Sequence, residues 1–353
     1  MRIALLTDIA GHCPVKGRVA APSDWTLLRQ TVAAAATADA DAQFVILTTQ
    51  RSHGWFEGFE RVCVSEGGRV RLPGTSPAEK VLKTLAPDVL LWPFGGDMPL
   101  RGRIPTVLYA LDLFPWVAAD AASVAPPVTK TARASAQKAQ VILCPSNALQ
   151  KQVAISLGIG MDKIVVAQPG VSPVFSTPQQ RAVAGDYAVF PVNRHTLPCL
   201  GALRDAMEKR PEFFPPVLVV LGAPWSGEPA NWGREVIRVE RCPENIRASL
   251  MQHARMLLYT AVHDGAGVPV MEALCSGVPV LASKSCALGE IGGRALLHCD
   301  PQNSTSIIQT LRRFHDESAR EQAERIAAGR SWISDVTWDK CAWKVLSAVK
   351  RAL

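Results

Sequence analysis

The sequence lacks the features that mark exported, membrane-spanning or zinc-binding proteins. Its nine cysteines are an odd number and none forms a CxxC pair, which favours free thiols and argues against a disulfide framework or a zinc site. No stretch approaches the roughly 20 apolar residues that cross a bilayer. The short apolar run at the N-terminus is interrupted at Asp8, so we interpret it as a first β-strand of a cytoplasmic protein rather than as a signal peptide.

The chain is also poor in tyrosine, with three in 353 residues, and its nine tryptophans mostly stand in apolar surroundings. Single-stranded nucleic acid is bound by basic residues interleaved with exposed aromatic rings, so this composition argues against a nucleic-acid partner. No GxGxxG follows a strand-like run, which argues against a nicotinamide enzyme. The formal net charge of +7 suits phosphates or anionic lipid headgroups.

Short apolar runs of strand length recur through the first half, and helix-like segments separate them. Continuous apolar strands that alternate with helices are typical of a parallel sheet covered on both faces. The predicted strands are Ile3–Thr7, Phe44–Thr48, Val89–Trp92, Thr106–Ala110, Val141–Cys144 and Ile164–Ala167. An Ala-rich helix is predicted over about residues 24–40, and Ser146 is the predicted cap of a helix that runs to about Leu157.

The stretch Gly170–Pro178 is rich in Gly, Pro and Ser and has no hydrophobic period, so it is the natural linker. After it the alternation restarts, which predicts a second doubly wound domain. Its predicted strands are Tyr187–Val192, Val217–Leu221, Val236–Val239, Met256–Tyr259 and Val278–Ala282. We therefore expect an α/β protein with an N-terminal domain over 1–172, a C-terminal domain over 173–335, and a last amphipathic helix over 336–353 that packs on protein. Ligands of such sheets bind outside the carboxyl ends of the strands, in a crevice between the two domains.

The segment His263–Ser283, HDGAGVPVMEALCSGVPVLAS, has the residue types of a ligand-binding turn. Gly265 and Gly267 permit a tight turn and a close approach of backbone to a ligand, and Pro269 suits the first position of a helix. The N-terminus of that helix would attract an anion, of which a diphosphate is the commonest of suitable size.

Two carboxylates flank this turn. Asp264 lies in the loop and Glu272 follows eight residues later on the helix. Both can accept hydrogen bonds from sugar hydroxyls, Glu272 in the two-point manner that suits a ribose diol. On these residues alone, an ordinary strand-to-helix connection is an equal alternative.

The wider segment resembles the signature of the retaining family 4 glycosyltransferases, which have the GT-B fold of two Rossmann-like domains facing a central cleft. In that family two Glu residues surround a Gly-Phe-Gly turn, and the sequence continues through Glu-Ala to Gly-x-Pro-Val. The matching positions are Gly265, Gly267, Pro269, Glu272, Ala273, Gly277, Pro279, Val280, Ala282 and Ser283. The departures are Asp264 for the first Glu and Ala266 for the Phe.

Further stretches resemble the family in the same order along the chain. They are Pro145-Ser146, Gly158-Ile159, Lys163-Ile164, Pro169-Gly170-Val171 with Phe175, Leu288 to Ala295, Asp300-Pro301 and Thr337 to Lys340. The resemblance runs from about Val141 to the C-terminus, whereas residues 1–140 share only the strand and helix pattern.

The resemblance implies roles for matching residues. Glu272 would hold the nucleotide ribose, and Asp264 would contact the transferred sugar. The loop of Gly265, Ala266, Gly267 and Val268 would offer backbone N–H groups to sugar and phosphate. The family also clamps the diphosphate with an Arg and a Lys early in the second domain. Arg194 matches the Arg, but His195 stands in place of the Lys and is mostly neutral near pH 7.

In the N-terminal domain the resemblance is weaker. Relatives carry a glycine loop after the first strand, for which Gly17 is the better candidate here. They also carry a His-Asp pair after a later strand, of which only Asp112 is present, so Asp112 is either a catalytic candidate or a loop cap.

The resemblance implies transfer of a hexosyl group from a nucleotide-diphosphate sugar, held by the C-terminal domain, to a saccharide or lipid-linked saccharide bound by the N-terminal domain, with retention at the anomeric carbon. It also implies that the last helix, over 336–353, packs back on the N-terminal domain. No metal or other cofactor is expected, because Arg194 and the helix N-terminus would stabilise the leaving diphosphate. The charge and the lack of a spanning segment predict reversible association of the N-terminal domain with an anionic membrane surface. Two alternatives remain: a catalytically inactive partner subunit, suggested by the departures at 195 and 264, and a nucleotide-sugar epimerase.

Two further patterns look like metal-binding sites, but we interpret both as structural. Asp39-Ala40-Asp41 spells the carboxylate pair of metal-dependent transferases, but its place between a helix and a strand favours a cap. His298-Cys299-Asp300 has metal-ligand residue types, but adjacent strand residues point to opposite faces and converge poorly on one ion.

Overall fold

The computed structural model describes residues 1–7, 22–48, 53–64, 77–93, 104–112, 130–225, 228–229, 231–240 and 242–353. The chain divides into two compact units. One consists of Met1–Gly170 together with Thr337–Leu353, and the other of Val171–Val336. The unit boundaries thus fall next to the predicted domain limits at 172 and 335.

The first unit is a parallel sheet with helices, as the recurring apolar runs predict. Over the described residues its strand order is β3-β2-β1-β4-β5-β6-β7. The elements are β1 (Arg2–Leu6), α1 (Pro22–Ala38), β2 (Gln43–Thr48), β3 (Glu60–Cys63), α2 (Pro77–Leu85), β4 (Val89–Pro93), β5 (Thr106–Tyr109), α3 (Lys130–Lys138), β6 (Val141–Cys144), α4 (Asn147–Leu157) and β7 (Ile164–Val166). Ser146 caps α4 by accepting a hydrogen bond from the Leu149 N–H at 3.2 Å, which confirms that prediction.

The second unit is also a parallel sheet with helices. Over its described residues the strand order is β10-β9-β8-β11-β12-β13. The elements are β8 (Tyr187–Pro191), α5 (Leu200–Lys209), β9 (Val217–Leu221), β10 (Glu235–Val239), α6 (Glu244–Gln252), β11 (Met256–Tyr259), α7 (Val268–Ser276), β12 (Val280–Ala282), β13 (Leu296–His298), α8 (Ser304–Asp316) and α9 (Ala319–Ser334). The α/β doubly wound class predicted for both halves is confirmed.

Two apolar layers sandwich this second sheet, because alternate strand residues point to opposite faces. Val189 and Leu257 face one layer, which also contains residues of α6, α7 and α9. Phe190 and Leu258 face the other layer, together with residues of α5 and α8. Burial on both faces explains why these strands are continuous apolar runs rather than alternating ones.

The last helix, α10 (Trp338–Ala352), belongs to the first unit, where it packs on α1 and on β5 and β6. Its buried stripe is Cys341, Ala342, Val345, Leu346, Ala348, Val349 and Ala352, as its helical spacing predicts. Lys350 on its exposed side pairs with Asp39 at 3.0 Å.

Candidate functional site

The loop between β11 and α7 is built around a glycine in the left-handed region. Gly267 precedes the first residue of α7 and has φ 66° and ψ 28°. The left-handed backbone favours glycine, and a Cβ there would lie 2.2 Å from the Ile291 Cδ1 atom, so any larger residue would have to displace the Ile291 side chain. The helix begins at Val268, one residue before the predicted Pro269. Its N-terminus lies beyond the carboxyl end of β11, where parallel sheets bind their ligands.

Asp264 organises this loop. Its Oδ1 atom accepts hydrogen bonds from the N–H groups of Ala266, at 2.9 Å, and Gly267, at 2.8 Å. Its Oδ2 atom accepts one from the Tyr259 hydroxyl at 2.7 Å, and the side chain is buried. In this conformation the N–H groups of Ala266 and Gly267 both donate to Asp264, and their predicted contact with sugar and phosphate stays a prediction.

Glu272, the fifth residue of α7, forms a two-point ion pair that the sequence reasoning missed. The Arg247 guanidinium donates from Nε to Oε2 at 2.8 Å and from Nη2 to Oε1 at 2.7 Å. Glu272 is 5% exposed. Arg247 lies on α6, and its guanidinium stands 5.4 Å from the centroid of the Phe175 ring.

Burial and charge act in opposite directions on this pair. Burial raises the pKa of the Glu272 carboxyl, and the Arg247 charge and hydrogen bonds oppose that rise. Burial likewise disfavours the charge of Arg247, but the Glu272 carboxylate outweighs it and raises the pKa of Arg247 overall. Two short parallel hydrogen bonds are typical of an ionised carboxylate paired with a guanidinium. Both groups are therefore ionised in this pair.

The turn after β8 contains Arg194 and His195, the predicted diphosphate-binding residues, and it contacts the loop between β11 and α7. Asn193 Oδ1 accepts hydrogen bonds from the backbone N–H groups of His195, at 2.9 Å, and Thr196, at 3.1 Å. The His195 carbonyl in turn accepts one from the Val262 N–H at 2.9 Å. The structure thus joins the turn of Arg194 and His195 to the loop of Asp264.

Tyr259 links the two loops through its side chain. Its hydroxyl accepts a hydrogen bond from Asn193 Nδ2 at 3.2 Å and donates to Asp264. His195 is buried, and its ring centroid lies 6.4 Å from that of His263. Neither Tyr259 nor His263 was a sequence candidate, although His263 stands directly before Asp264 in the motif. Arg194 is half-buried in the same turn.

The N-terminal candidates belong to the first unit. Asp112 follows β5 and is buried, at 4% exposure. Gly17 lies outside the described residues.

Asp39 and His298, from the two patterns that look like metal-binding sites, both form contacts within the fold. Asp39 accepts a hydrogen bond from the Asp41 N–H at 3.1 Å, in addition to its ion pair with Lys350. Lys350 lowers the pKa of Asp39 through that contact. His298 donates from Nδ1 to the Ser283 carbonyl at 3.1 Å, which ties the end of β13 to the end of β12. Both observations agree with the structural interpretations.

Comparison with known proteins finds a family match over part of the second unit. Residues 230–332, which include Asp264 and Glu272, match the family model described as "Glycosyl transferases group 1". O-antigen chain mannosyltransferase B of Escherichia coli is 32% identical over 109 residues, which are 31% of this chain and 28% of that protein. The matched part is therefore less than a third of that relative's length.

Two solved structures are similar over nearly the whole chain. HepE of Anabaena, in complex with UDP and glucose, superposes with a TM-score of 0.75 at 15% identity and covers 99% of both chains. WaaG, described as a glycosyltransferase involved in lipopolysaccharide biosynthesis, gives a TM-score of 0.65 at 14% identity and covers 98% of this chain and 99% of its own. At this identity the likeness shows the fold. The chain thus has the GT-B fold found in glycosyltransferases, and its residues 230–332 match the model of the glycosyl transferases group 1 family.

Proposed function

We propose that the protein transfers a hexosyl group from a nucleotide-diphosphate sugar to a saccharide or lipid-linked saccharide, with retention of the anomeric configuration. The observation that carries the proposal is the arrangement around α7. A helix N-terminus, a buried Glu272 and the turn of Arg194 and His195 lie together within one unit, and the family match covers the first two. In this proposal the helix end attracts the diphosphate and the Glu272 carboxylate receives the sugar hydroxyls of the nucleotide.

In this proposal each group has a separate task. Glu272 accepts hydrogen bonds from the ribose hydroxyls, and the N-terminus of α7 faces the diphosphate. Arg194 and His195 stabilise the negative charge that develops as the diphosphate leaves, so no metal is required. Asp264 holds the loop and borders the transferred sugar.

The acceptor binds, in the same proposal, to the first unit, where Asp112 is a catalytic candidate and Gly17 is a candidate of the donor-binding glycine loop. The relatives suggest its class, because one acts on O-antigen chains and another in lipopolysaccharide biosynthesis. A bacterial surface glycan or its lipid-linked precursor is the acceptor we propose.

We also propose a reversible contact with an anionic membrane surface through the exposed face of α10. Trp343 on this face is 64% exposed, and its ring lies 5.1 Å from the Lys344 ammonium. Lys340 and Arg351 are exposed on the same helix. A tryptophan among lysines suits the boundary between headgroups and water. Among the described helices, none has the length and hydropathy to cross a membrane.

One observation favours the inactive partner subunit as a second candidate. His195 replaces the permanently charged Lys of the family, so neutralisation of the diphosphate depends on the protonation of an imidazole. A subunit of this kind would bind nucleotide without consuming the sugar donor.

The first experiment is a thermal-shift screen of nucleotide sugars. A ligand that binds only the folded state raises the melting temperature in proportion to the logarithm of its concentration over its dissociation constant. We expect one nucleotide sugar and its nucleoside diphosphate to raise the melting temperature together. A panel without any shift at millimolar ligand would contradict the proposal.

A further inference from the structure

The ion pair between Arg247 and Glu272 leaves the carboxylate with spare acceptor capacity. An ionised carboxylate has about four lone-pair positions on its two oxygens. Arg247 uses one on each oxygen, through bonds of 2.7 and 2.8 Å. One acceptor position therefore remains on Oε1 and one on Oε2, which matches the two hydroxyls of a ribose diol.

Arg247 is itself fixed from several sides. Its Nη1 atom donates to the Cys242 carbonyl at 3.3 Å, and its guanidinium stands over the Phe175 ring. Its side chain is 22% exposed and that of Glu272 is 7% exposed. A planar fork held in this way fixes both the position and the plane of the carboxylate, whereas an unpaired Glu side chain would rotate about its last bond.

We propose that Arg247 is a positioning residue that makes Glu272 a two-point receptor for the 2′- and 3′-hydroxyls of a ribonucleotide donor. This inference rests on the proposed function and adds a specificity: the site selects ribonucleoside over 2′-deoxyribonucleoside diphosphates. A deoxy ligand leaves one oxygen of a buried carboxylate without its second partner, and that loss lowers affinity.

A purely structural ion pair would behave differently. If Arg247 only neutralises a buried charge, its replacement lowers stability but leaves the preference for ribose unaltered. The ratio of dissociation constants for deoxy and ribo ligands therefore separates the two roles, because global stability cancels within each variant.

The test is titration calorimetry with UDP, ADP, GDP and CDP and with the 2′-deoxy counterpart of whichever binds. Arg247→Lys keeps the charge but loses the fork, and Arg247→Gln keeps two donors without the charge. Arg255→Lys is the matched control, because Arg255 lies in the same unit in an exposed pair with Asp186 at 3.9 Å. Thermal unfolding of each variant establishes that it is folded at the titration temperature.

We expect the wild-type protein and Arg255→Lys to bind the ribo ligand at least about tenfold more tightly than the deoxy ligand. In folded Arg247→Lys and Arg247→Gln the ratio should fall to about threefold or less. A wild-type ratio in a folded Arg247 variant overturns the inference and leaves the proposed function intact. Absence of any nucleoside diphosphate binding by the wild-type protein overturns both.

Discussion

At the scale of residues, the candidate site centres on an ion pair between two helices, in which Arg247 of α6 holds the carboxylate of Glu272 on α7. Glu272 could be proposed because its motif is contiguous, from Gly265 to Ser283. Arg247 could not, since it stands 25 residues before Glu272 on another helix, and local periodicity carries no information about which helices become neighbours. Tyr259 was predicted only as a strand residue, and its hydroxyl is what joins Asn193 to Asp264.

Replacement of Glu272 by alanine should weaken nucleoside diphosphate binding by about 1.5 to 3 kcal/mol, the contribution of hydrogen bonds to a charged group. The same change leaves Arg247 buried without its partner, so stability should fall by about 3 to 5 kcal/mol. Calorimetric binding and urea unfolding measure the two effects. Glu208→Ala, on the exposed i,i+4 pair with Arg204 in the same unit, is the control, and unchanged affinity in folded Glu272→Ala would remove this residue from the site.

His195 gives the site a predicted pH dependence. A protonated His195 would place a positive charge beside a bound diphosphate, so we expect binding to be stronger at low pH, where the imidazole carries a proton, and to weaken as the pH rises. His195→Lys should retain or strengthen binding above neutral pH and flatten the profile. Titrations between pH 5.5 and 8.5 check this, and a His195→Ala variant with wild-type affinity and profile would place the residue outside the phosphate site.

At the scale of elements, most buried strands were predicted to within two residues because they are continuous apolar runs, but the short strand β13 was not among them. β3 was missed, since its sequence ERVC is partly exposed and has no such run. α9 was missed too, because its buried residues among those described are few, Gly329 and Ile333. β3 is fixed by its pairing with β2, whereas α9 begins at a local capping box formed by Ser318 and Glu321.

The start of α7 depends on Gly267. Gly267→Ala should cost about 1 to 2 kcal/mol for the left-handed conformation and a further 1 to 3 kcal/mol for the clash with Ile291. Gly185→Ala is the control, because Gly185 has φ 74° with nothing within 4 Å of an added Cβ. Urea unfolding should therefore show a larger loss for Gly267→Ala, and equal losses for the two variants would contradict the packing argument.

At the scale of the whole molecule, the two doubly wound units were predictable from the repeated alternation of strand and helix. The path of the last helix followed from resemblance to the family, and the structure attributes it to the first unit. Acceptor and sugar were not predictable from the sequence, because residues 1–140 share only the strand and helix pattern of the family and carry none of its motifs in full.

Vesicle binding tests the proposed membrane contact. The wild-type protein should co-sediment with vesicles rich in phosphatidylserine at low salt and dissociate as salt screens the charges. Lys344→Glu should weaken binding by about 2 kcal/mol, at about 1 kcal/mol for each unit of charge. Arg320→Glu makes the same charge change on α9 of the second unit, where Arg320 is 88% exposed, and equal effects of both variants, or no sedimentation at low salt, would contradict a contact through α10.

Sugar transfer is tested most directly by following donor consumption with proton NMR, using the nucleotide sugar selected by thermal shift. Water can serve as a slow acceptor in the absence of the natural one. We expect release of nucleoside diphosphate together with free sugar whose first-formed anomer has the configuration of the donor, and we expect Glu272→Ala to slow the release. Consumption with the opposite first-formed anomer would contradict retention, and an intact donor after prolonged incubation with folded, nucleotide-binding protein would contradict transferase activity and favour the partner subunit.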